Sequence, residues 1–287
     1  MKGFKAFNKD MTCQGFQFEE NKTYEEKKAK ICQSGFHFCK NPFDVLDYYD
    51  LCESEFTEVE AIGTIDTQKN GDSKHTTTKI KIGVKLGLGG FIKSTVNFLI
   101  DFCKKDNKPD KKDYSQLAAS GDSSQLAASG YYSQLAASGY YSQLAASGYY
   151  SQLAASGYYS KLAASGDSSK LAASGDSSQL AASGYYSKLA ASGDYSKLAA
   201  SGDSSQLAAS GDSSKLELNG KDSVGANIGI GGKAKGKKGC WLTLAEWEYN
   251  SDKKRHIPIC VKSAQIDGKK LKEDVWYYLK IKVFEVA

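Results

Sequence analysis

Between Leu117 and Leu216, twelve leucines recur at an unbroken interval of nine residues. Each is set in a nonapeptide close to (Asp or Tyr)-(Ser or Tyr)-Ser-(Gln or Lys)-Leu-Ala-Ala-Ser-Gly, repeated from Asp113 to Leu216. At about 100° per residue, an interval of nine places successive leucines on opposite sides of a helix, so no helical face is apolar. The Gly and the serines of each unit lower helix propensity further. A flexible Ser/Gly linker would have no cause to hold one large aliphatic side chain at a fixed position twelve times. Short strands account for the pattern. In Ser115-Gln116-Leu117-Ala118-Ala119, alternation sends Ser115, Leu117 and Ala119 to one face and Gln116 and Ala118 to the other. Ser120-Gly121-Asp122-Ser123 then supplies turn chemistry, with Gly free to adopt a positive φ.

Two units per coil would place alternate leucines on two facing walls, both inward, in a right-handed parallel β-solenoid. Twelve units make six coils, about 29 Å of stack at about 4.8 Å per coil. A three-sided coil of three units is the geometric alternative. The layout resembles the calcium-binding parallel β-roll, where a nonapeptide also supplies half a coil. Ser stands where that fold has its calcium-ligating Asp (Ser124, Ser133), so no calcium is expected here. With one Leu per nine residues, stability has to come from the backbone ladder and neighbour-on-neighbour stacking. The open ladder ends need caps.

The flanks change character. Residues 1–105 read as an α+β domain. Phe4–Phe7, Phe16–Phe18, Thr57–Ile62 and Lys79–Val84 alternate as strands, and Asn41-Pro42 opens a helix over Pro42–Tyr49. Phe91–Lys105 is an amphipathic helix, suited to covering the first coil. Residues 106–112 (DNKPDKK) read as a linker, 113–232 as the solenoid and 233–287 as a small β domain that caps it. Val224–Gly231 reads as degenerate final rungs. Trp241–Leu244, Ile259–Lys262 and Tyr277–Val283 are strand-like, and Ile266–Lys269 is a hairpin turn signal. The expected class is therefore mainly β, a solenoid between an α+β domain and a β cap.

Composition narrows the setting. The 287 residues carry a net charge of +5, which permits an acidic partner without demanding one. No apolar run reaches 18 residues and the first thirty are rich in Lys and Glu, so neither a membrane span nor a signal peptide is expected. Seven Cys, an odd number without a C-x-x-C pair, point to reduced thiols in a cytoplasm.

Twelve of the 18 tyrosines lie in the array. Four consecutive turns carry Tyr131-Tyr132, Tyr140-Tyr141, Tyr149-Tyr150 and Tyr158-Tyr159. An 18-residue coil stacks Tyr131 near Tyr149 on one edge and Tyr140 near Tyr158 on the other, with Asp rows following in the second half. Such ladders either stiffen the turns or form a contact surface, since Tyr offers large area at low rotamer cost. The array's seven Asp are diluted by five Lys, which weakens any mimicry of DNA. A basic run, Lys233, Lys235, Lys237 and Lys238, with Lys253-Lys254-Arg255, is the candidate phosphate contact, although a solvated loop explains it as well. Nucleic acid is thus a weakly supported partner. Cys13, Cys32, His37, Cys39 and Cys52 lack zinc-ligand spacing and read as structural cysteines, and a Cys39/His37 nucleophilic pair has no orienting acid. No metal and no cofactor are expected.

Gly35-Phe36-His37-Phe38-Cys39, Asn41-Pro42 and Tyr48-Tyr49 resemble the strand-then-helix element of ADP-ribosyltransferases. In that family the element lies against nicotinamide, which makes Glu58 or Glu60 the candidate catalytic acid. Three further stretches carry a second resemblance. GFKAF with GFHFCKNPFDVLDYY, the SG-(D/Y)-x-S-x-LAA repeats, and GCWLTLAEW with DGKKLK are similar to a group of uncharacterised phage and prophage proteins across nearly all of the chain. This resemblance implies a mobile-element origin and action on host machinery. The leading expectation is a non-enzymatic binding protein that inhibits or sequesters a host defence component through its solenoid and end domains. An ADP-ribosyltransferase-like enzyme in residues 1–105 is the alternative. A virion or assembly component, with the solenoid self-associating as a homo-oligomer, is the third.

Overall fold

The computed structural model describes residues 1–68, 71–105 and 113–287; the expected linker, 106–112, lies outside them. The chain divides into two units, Met1–Phe98 and Leu99–Ala287.

In the first unit, the alternating KGFKAFN forms β1 (Lys2–Asn8), followed by β2 (Thr12–Cys13), β3 (Phe16–Gln17), β4 (Thr23–Glu25) and β5 (Phe36–Cys39). Then come α1 (Pro42–Val45), β6 (Ser54–Ala61), β7 (Ile65–Thr67), β8 (Lys74–Thr77), β9 (Lys79–Lys85) and α2 (Gly87–Lys105). Seven of these strands form one antiparallel sheet in the order β4-β9-β6-β1-β5-β8-β7, and β2-β3 is a separate hairpin. Asn41 caps α1 as expected, its side chain accepting the Phe43 N–H at 3.0 Å. The helix nevertheless ends at Val45, well short of the expected Tyr49. The strand β5, which falls in the Gly35–Cys39 stretch read as a strand before a helix, pairs with β8, which the sequence did not suggest. Phe91 of α2 stacks on Phe56 at 4.0 Å.

The second unit is a two-sided parallel β-solenoid of about seven turns, from residue 116 to 244. Its strands begin with β10 (Gln116–Ala119) and β11 (Gln125–Ala128), then continue in nine-residue steps to β22 (Val224–Asn227) and β23 (Lys233–Gly236). Even-numbered strands form one sheet and odd-numbered strands the other. Each strand pairs in parallel with the one 18 residues on, Leu117 with Leu135 and Leu126 with Leu144. The period therefore resolves as two units per coil, and the three-sided coil is not formed. From Leu135 to Leu216 the leucines are buried on both walls, alternating with inward Ala.

Three side-chain devices repeat with the coil. The Ser before Gln or Lys is buried and staples its own turn, as Ser133 Oγ donates to Gly130 O at 2.8 Å. The turn Asp reaches the next coil, as Asp122 Oδ1 accepts the Tyr140 N–H 18 residues on at 3.0 Å. Asp113, Asp167, Asp176, Asp194, Asp203 and Asp212 do the same, so the Asp rows are structural caps. The left-handed residue of each turn is not Gly, contrary to expectation, but the second variable position, with φ of 57° at Tyr132 and 58° at Ser168. That conformation turns its N–H along the stack, and Tyr132 N donates to Tyr149 O at 2.9 Å. The repeat Gly serves contact instead. A Cβ on Gly157 would stand 2.1 Å from Gly139 O in the coil before.

The parallel ladder continues past the expected boundary at 232. β23 pairs with the strand Lys215–Leu218, and the first residues of β24 (Trp241–Asn250) pair with β22. Where Gly225 replaces the leucine, Leu218 fills the space. The stack closes with antiparallel strands: β25 (Arg255–Gln265) on β24, and β26 (Tyr277–Lys280) with β27 (Val283–Val286) on β23. Cys240, Leu242, Leu244, Ile266, Tyr277 and Leu279 continue the leucine core. The expected hairpin at Ile266–Lys269 is instead a turn between the two sheets, where Asp267 Oδ1 gathers the N–H groups of Lys269, Lys270 and Leu271. The β24–β25 hairpin lies at 251–254. The expected strand Tyr277–Val283 breaks at Ile281-Lys282, both with positive φ.

Two changes within the same turns should act in opposite directions. Gly175→Ala places a methyl 2.3 Å from Gly157 O and is expected to lower stability by about 3 kcal/mol. Ser168→Gly relieves a left-handed non-glycine and is expected to be neutral or to stabilise by about 1 kcal/mol. Thermal denaturation of the two variants separates these outcomes.

Candidate functional site

The solenoid brings its tyrosines into columns. Tyr131 stacks on Tyr149 at 5.4 Å and Tyr132 on Tyr150 at 4.9 Å along one edge. On the opposite edge Tyr140 meets Tyr158 at 5.4 Å and Tyr141 meets Tyr159 at 5.1 Å. Tyr114 extends the first edge by stacking on Tyr132 at 5.0 Å. These rings cover one another's faces and leave edges and hydroxyls to water, each residue being 43–52% exposed across the eight positions. Between the two edges lies the outer face of the β10 sheet, where Gln134, Gln152, Lys170 and Lys188 alternate with exposed alanines. Two open troughs of about 1000 and 1120 Å³ run along this face.

The basic run is less available than its sequence suggests. Lys233–Gly236 is a solenoid strand, not a loop. Lys235 is buried, pairs with the equally buried Glu217 at 3.2 Å, and lies over the Trp276 ring at 4.8 Å. Lys237 pairs with Asp274 at 2.6 Å. Lys233 is half-buried and only Lys238 is exposed. The four lysines therefore do not form a row of solvated charges.

A third place gathers residues that the sequence singled out separately, among them Cys13, Cys32, His37, Cys39 and Tyr48-Tyr49. In the first unit a cleft of about 570 Å³ opens where β1 and β5 share a single register pair, Phe4 with Cys39. Phe4, Phe16, Phe18, Phe36 and Phe38 form its apolar lining, and Lys5, Cys13, Cys32, His37, Tyr49 and Lys74 supply its polar groups. Lys5 shares the strand face of the buried Phe7 two residues on, yet a lysine is ordinarily expected to reach solvent. It is instead 6% exposed, with Nζ 3.1 Å from the His37 carbonyl, 3.5 Å from Cys13 Sγ, and over the rings of Phe7 and Phe18. No carboxylate among the described residues pairs with it. Burial holds its pKa below the usual lysine value, against a smaller opposing pull from Cys13.

Around this amine the other groups form a chain. Cys13 Sγ and Tyr49 Oη are 2.9 Å apart, and burial followed by that contact pushes the Tyr49 hydroxyl far above its usual range. His37 Nε2 accepts the Cys32 N–H at 3.0 Å. Burial first, then the charges of Lys74 and Lys5, lowers the pKa of His37. Lys74 Nζ lies 3.6 Å from Cys32 Sγ and 4.3 Å above the Tyr48 ring. Cys39 is buried, and that burial pushes its thiol up so far that it stays protonated, which removes the Cys39/His37 pair as a nucleophile. Cys32 is exposed and Cys13 half-buried, so neither is the buried structural thiol expected. Glu58 accepts from Ser94 at 3.3 Å, and neither it nor Glu60 lines the cleft. No cluster of three potential metal ligands occurs among the described residues. No helix among them is long and apolar enough to cross a membrane.

Residues 1–94 match a family described as "Domain of unknown function (DUF7666)". The cleft lies entirely within that matched segment. No curated protein and no solved structure matches the chain.

Two stability measurements follow. Glu217→Gln leaves the Lys235 charge buried and is expected to cost about 3 kcal/mol, read as a lowered melting temperature. Lys5→Met replaces a desolvated amine with a side chain of similar length and is expected to stabilise by about 1 kcal/mol. An unfolded chain binds the Lys5 proton more tightly than the folded one, so wild-type stability rises with pH towards 10.5 and the advantage of Lys5→Met narrows. Melting temperatures of both proteins across that range check the sign.

Proposed function

We propose that the protein acts by binding another protein, with the solenoid as a rigid display for its tyrosine columns and the face between them. The observation that carries this reading is the persistence of exposed, stacked tyrosines on both edges through the same coils. Elsewhere in the array the repeat uses Asp-Ser at the same turns, as at Asp167-Ser168, and Asp caps the next coil where Tyr cannot. The tyrosines therefore give up a hydrogen bond that the fold has available, in exchange for aromatic edge area of the kind that dominates protein interfaces. Similarity to phage and prophage proteins supports a host component as the partner, a defence protein or its signal, bound so as to inhibit or sequester it in the host cytoplasm.

The repeat itself supplies the control. Tyr131→Asp, Tyr132→Ser, Tyr149→Asp and Tyr150→Ser convert one edge to the Asp-Ser turn without new backbone demands, because Ser already occupies the left-handed position elsewhere. The expected outcome is an unchanged or raised melting temperature, with capture of the partner from host lysate weakened more than about tenfold. Full retention of capture by this variant and by its counterpart at Tyr140, Tyr141, Tyr158 and Tyr159 would remove the tyrosine columns as the interface.

A further inference from the structure

The buried amine of Lys5 has a position that packing does not require. An apolar side chain would fill the same space between Phe7 and Phe18 without a desolvation cost. The lysine is 94% removed from solvent, has no acidic partner among the described residues, and borders a cleft large enough for a small molecule. Its two partners, the His37 carbonyl and Cys13 Sγ, both line the cleft, and neither is a carboxylate.

We propose that Lys5 is a nucleophilic amine and that the cleft takes small carbonyl compounds bearing an anionic group, such as 2-oxo acids, as an imine. The neutral amine attacks the carbonyl carbon, forming the C–N bond. The carbinolamine then loses its oxygen as water, which carries away both protons of the amine, and no oxidant or reductant enters. Desolvation lowers the pKa of Lys5 and so favours the neutral form that this attack needs. Cys13, 3.5 Å from Nζ, and Tyr49, 2.9 Å from Cys13, make a line of exchangeable protons that begins at the reacting nitrogen. The anionic group is met on the other side of His37. Lys5 contacts the His37 carbonyl, while the His37 ring accepts from Cys32, whose sulfur touches the Lys74 ammonium. Lys74 likewise pairs with no carboxylate among the described residues, and Glu26 is the one carboxylate among the described residues lining the cleft. The buried rings of Phe18 and Phe36 form an apolar wall of the cleft.

The test is reductive trapping on the intact chain with glyoxylate and cyanoborohydride at neutral pH, followed by peptide mass mapping. Lys5 is expected to be alkylated at least about tenfold faster than the exposed Lys9 or Lys22, since each unit of pKa depression gives about ten times more free amine. In urea the difference should disappear. Lys5→Arg keeps a positive charge but cannot form the imine, and should show no accelerated site. Lys74→Met should slow trapping of glyoxylate and leave trapping of uncharged acetaldehyde unchanged. Labelling of Lys5 no faster than Lys9 in the native protein would overturn the proposal. Equal effects of Lys74→Met on both aldehydes would overturn its anion-binding half. Both readings are independent of the tyrosine columns.

Discussion

The in-register pairing of each residue with the one 18 positions away is the constraint on which the second unit depends. Because the coils are nearly identical, that register places the recurring Leu, Ala, Ser and Gly above their own kind. Gly stacks on Gly and permits backbone contact that no Cβ could occupy. Asp lies below an amide that it can accept. Tyr lies below Tyr at 4.9–5.4 Å, within the spacing that offset aromatic rings prefer. Even the left-handed residue in each turn is maintained by the stack. Its strain is offset by an N–H donated to the following coil, a bond that an isolated turn would not have. A thin core of one leucine per nine residues suffices because each of these small terms recurs in every turn.

Such a stack has ends, and the C-terminal end is handled by changing strand direction. β24 finishes the parallel ladder with its first residues and then leaves it to pair with β25, while β26 lies antiparallel on β23. Leu242, Leu244, Ile266 and Tyr277 fill the final layer, replacing the repeat's Leu-Ala alternation with larger side chains. The Glu217–Lys235 pair, buried together, belongs to this transition, where the repeat sequence gives way to KLEL and KAKG.

The first unit follows a different logic. Its sheet is stabilised by an ordinary aromatic core, in which Phe18 meets Tyr24 and Phe36 edge-on and Phe7 at a tilt. Within that core one position holds a lysine whose burial costs stability. Proteins keep such costs where a polar group acts on something besides the fold. The two units thus offer different surfaces, a broad repetitive face between tyrosine columns and a small cleft beside a buried amine.

Periodicity was enough to establish the solenoid, because an interval of nine is incompatible with a helical stripe and compatible with strand alternation, whatever the partner strands. Given two units per coil, it also implies the stacked pairs Tyr131–Tyr149 and Tyr140–Tyr158, since the translation along the axis follows from coil length. The number of sides, the purpose of Gly and the identity of the left-handed residue were decided by contacts between coils, which no single nonapeptide contains. The basic run at Lys233–Lys238 lost its solvated character for the same reason, as Glu217 and Asp274 reach it only through the fold. The sequence singled out Cys13, Cys32, His37, Cys39 and Tyr48-Tyr49, but that they line one cleft with Lys5 and Lys74 was decided by the tertiary structure. Lys5, Cys13, Tyr49 and Lys74 come from four separate segments, and nothing in their local sequence distinguishes a buried amine from a surface one until β1 and β5 diverge around it.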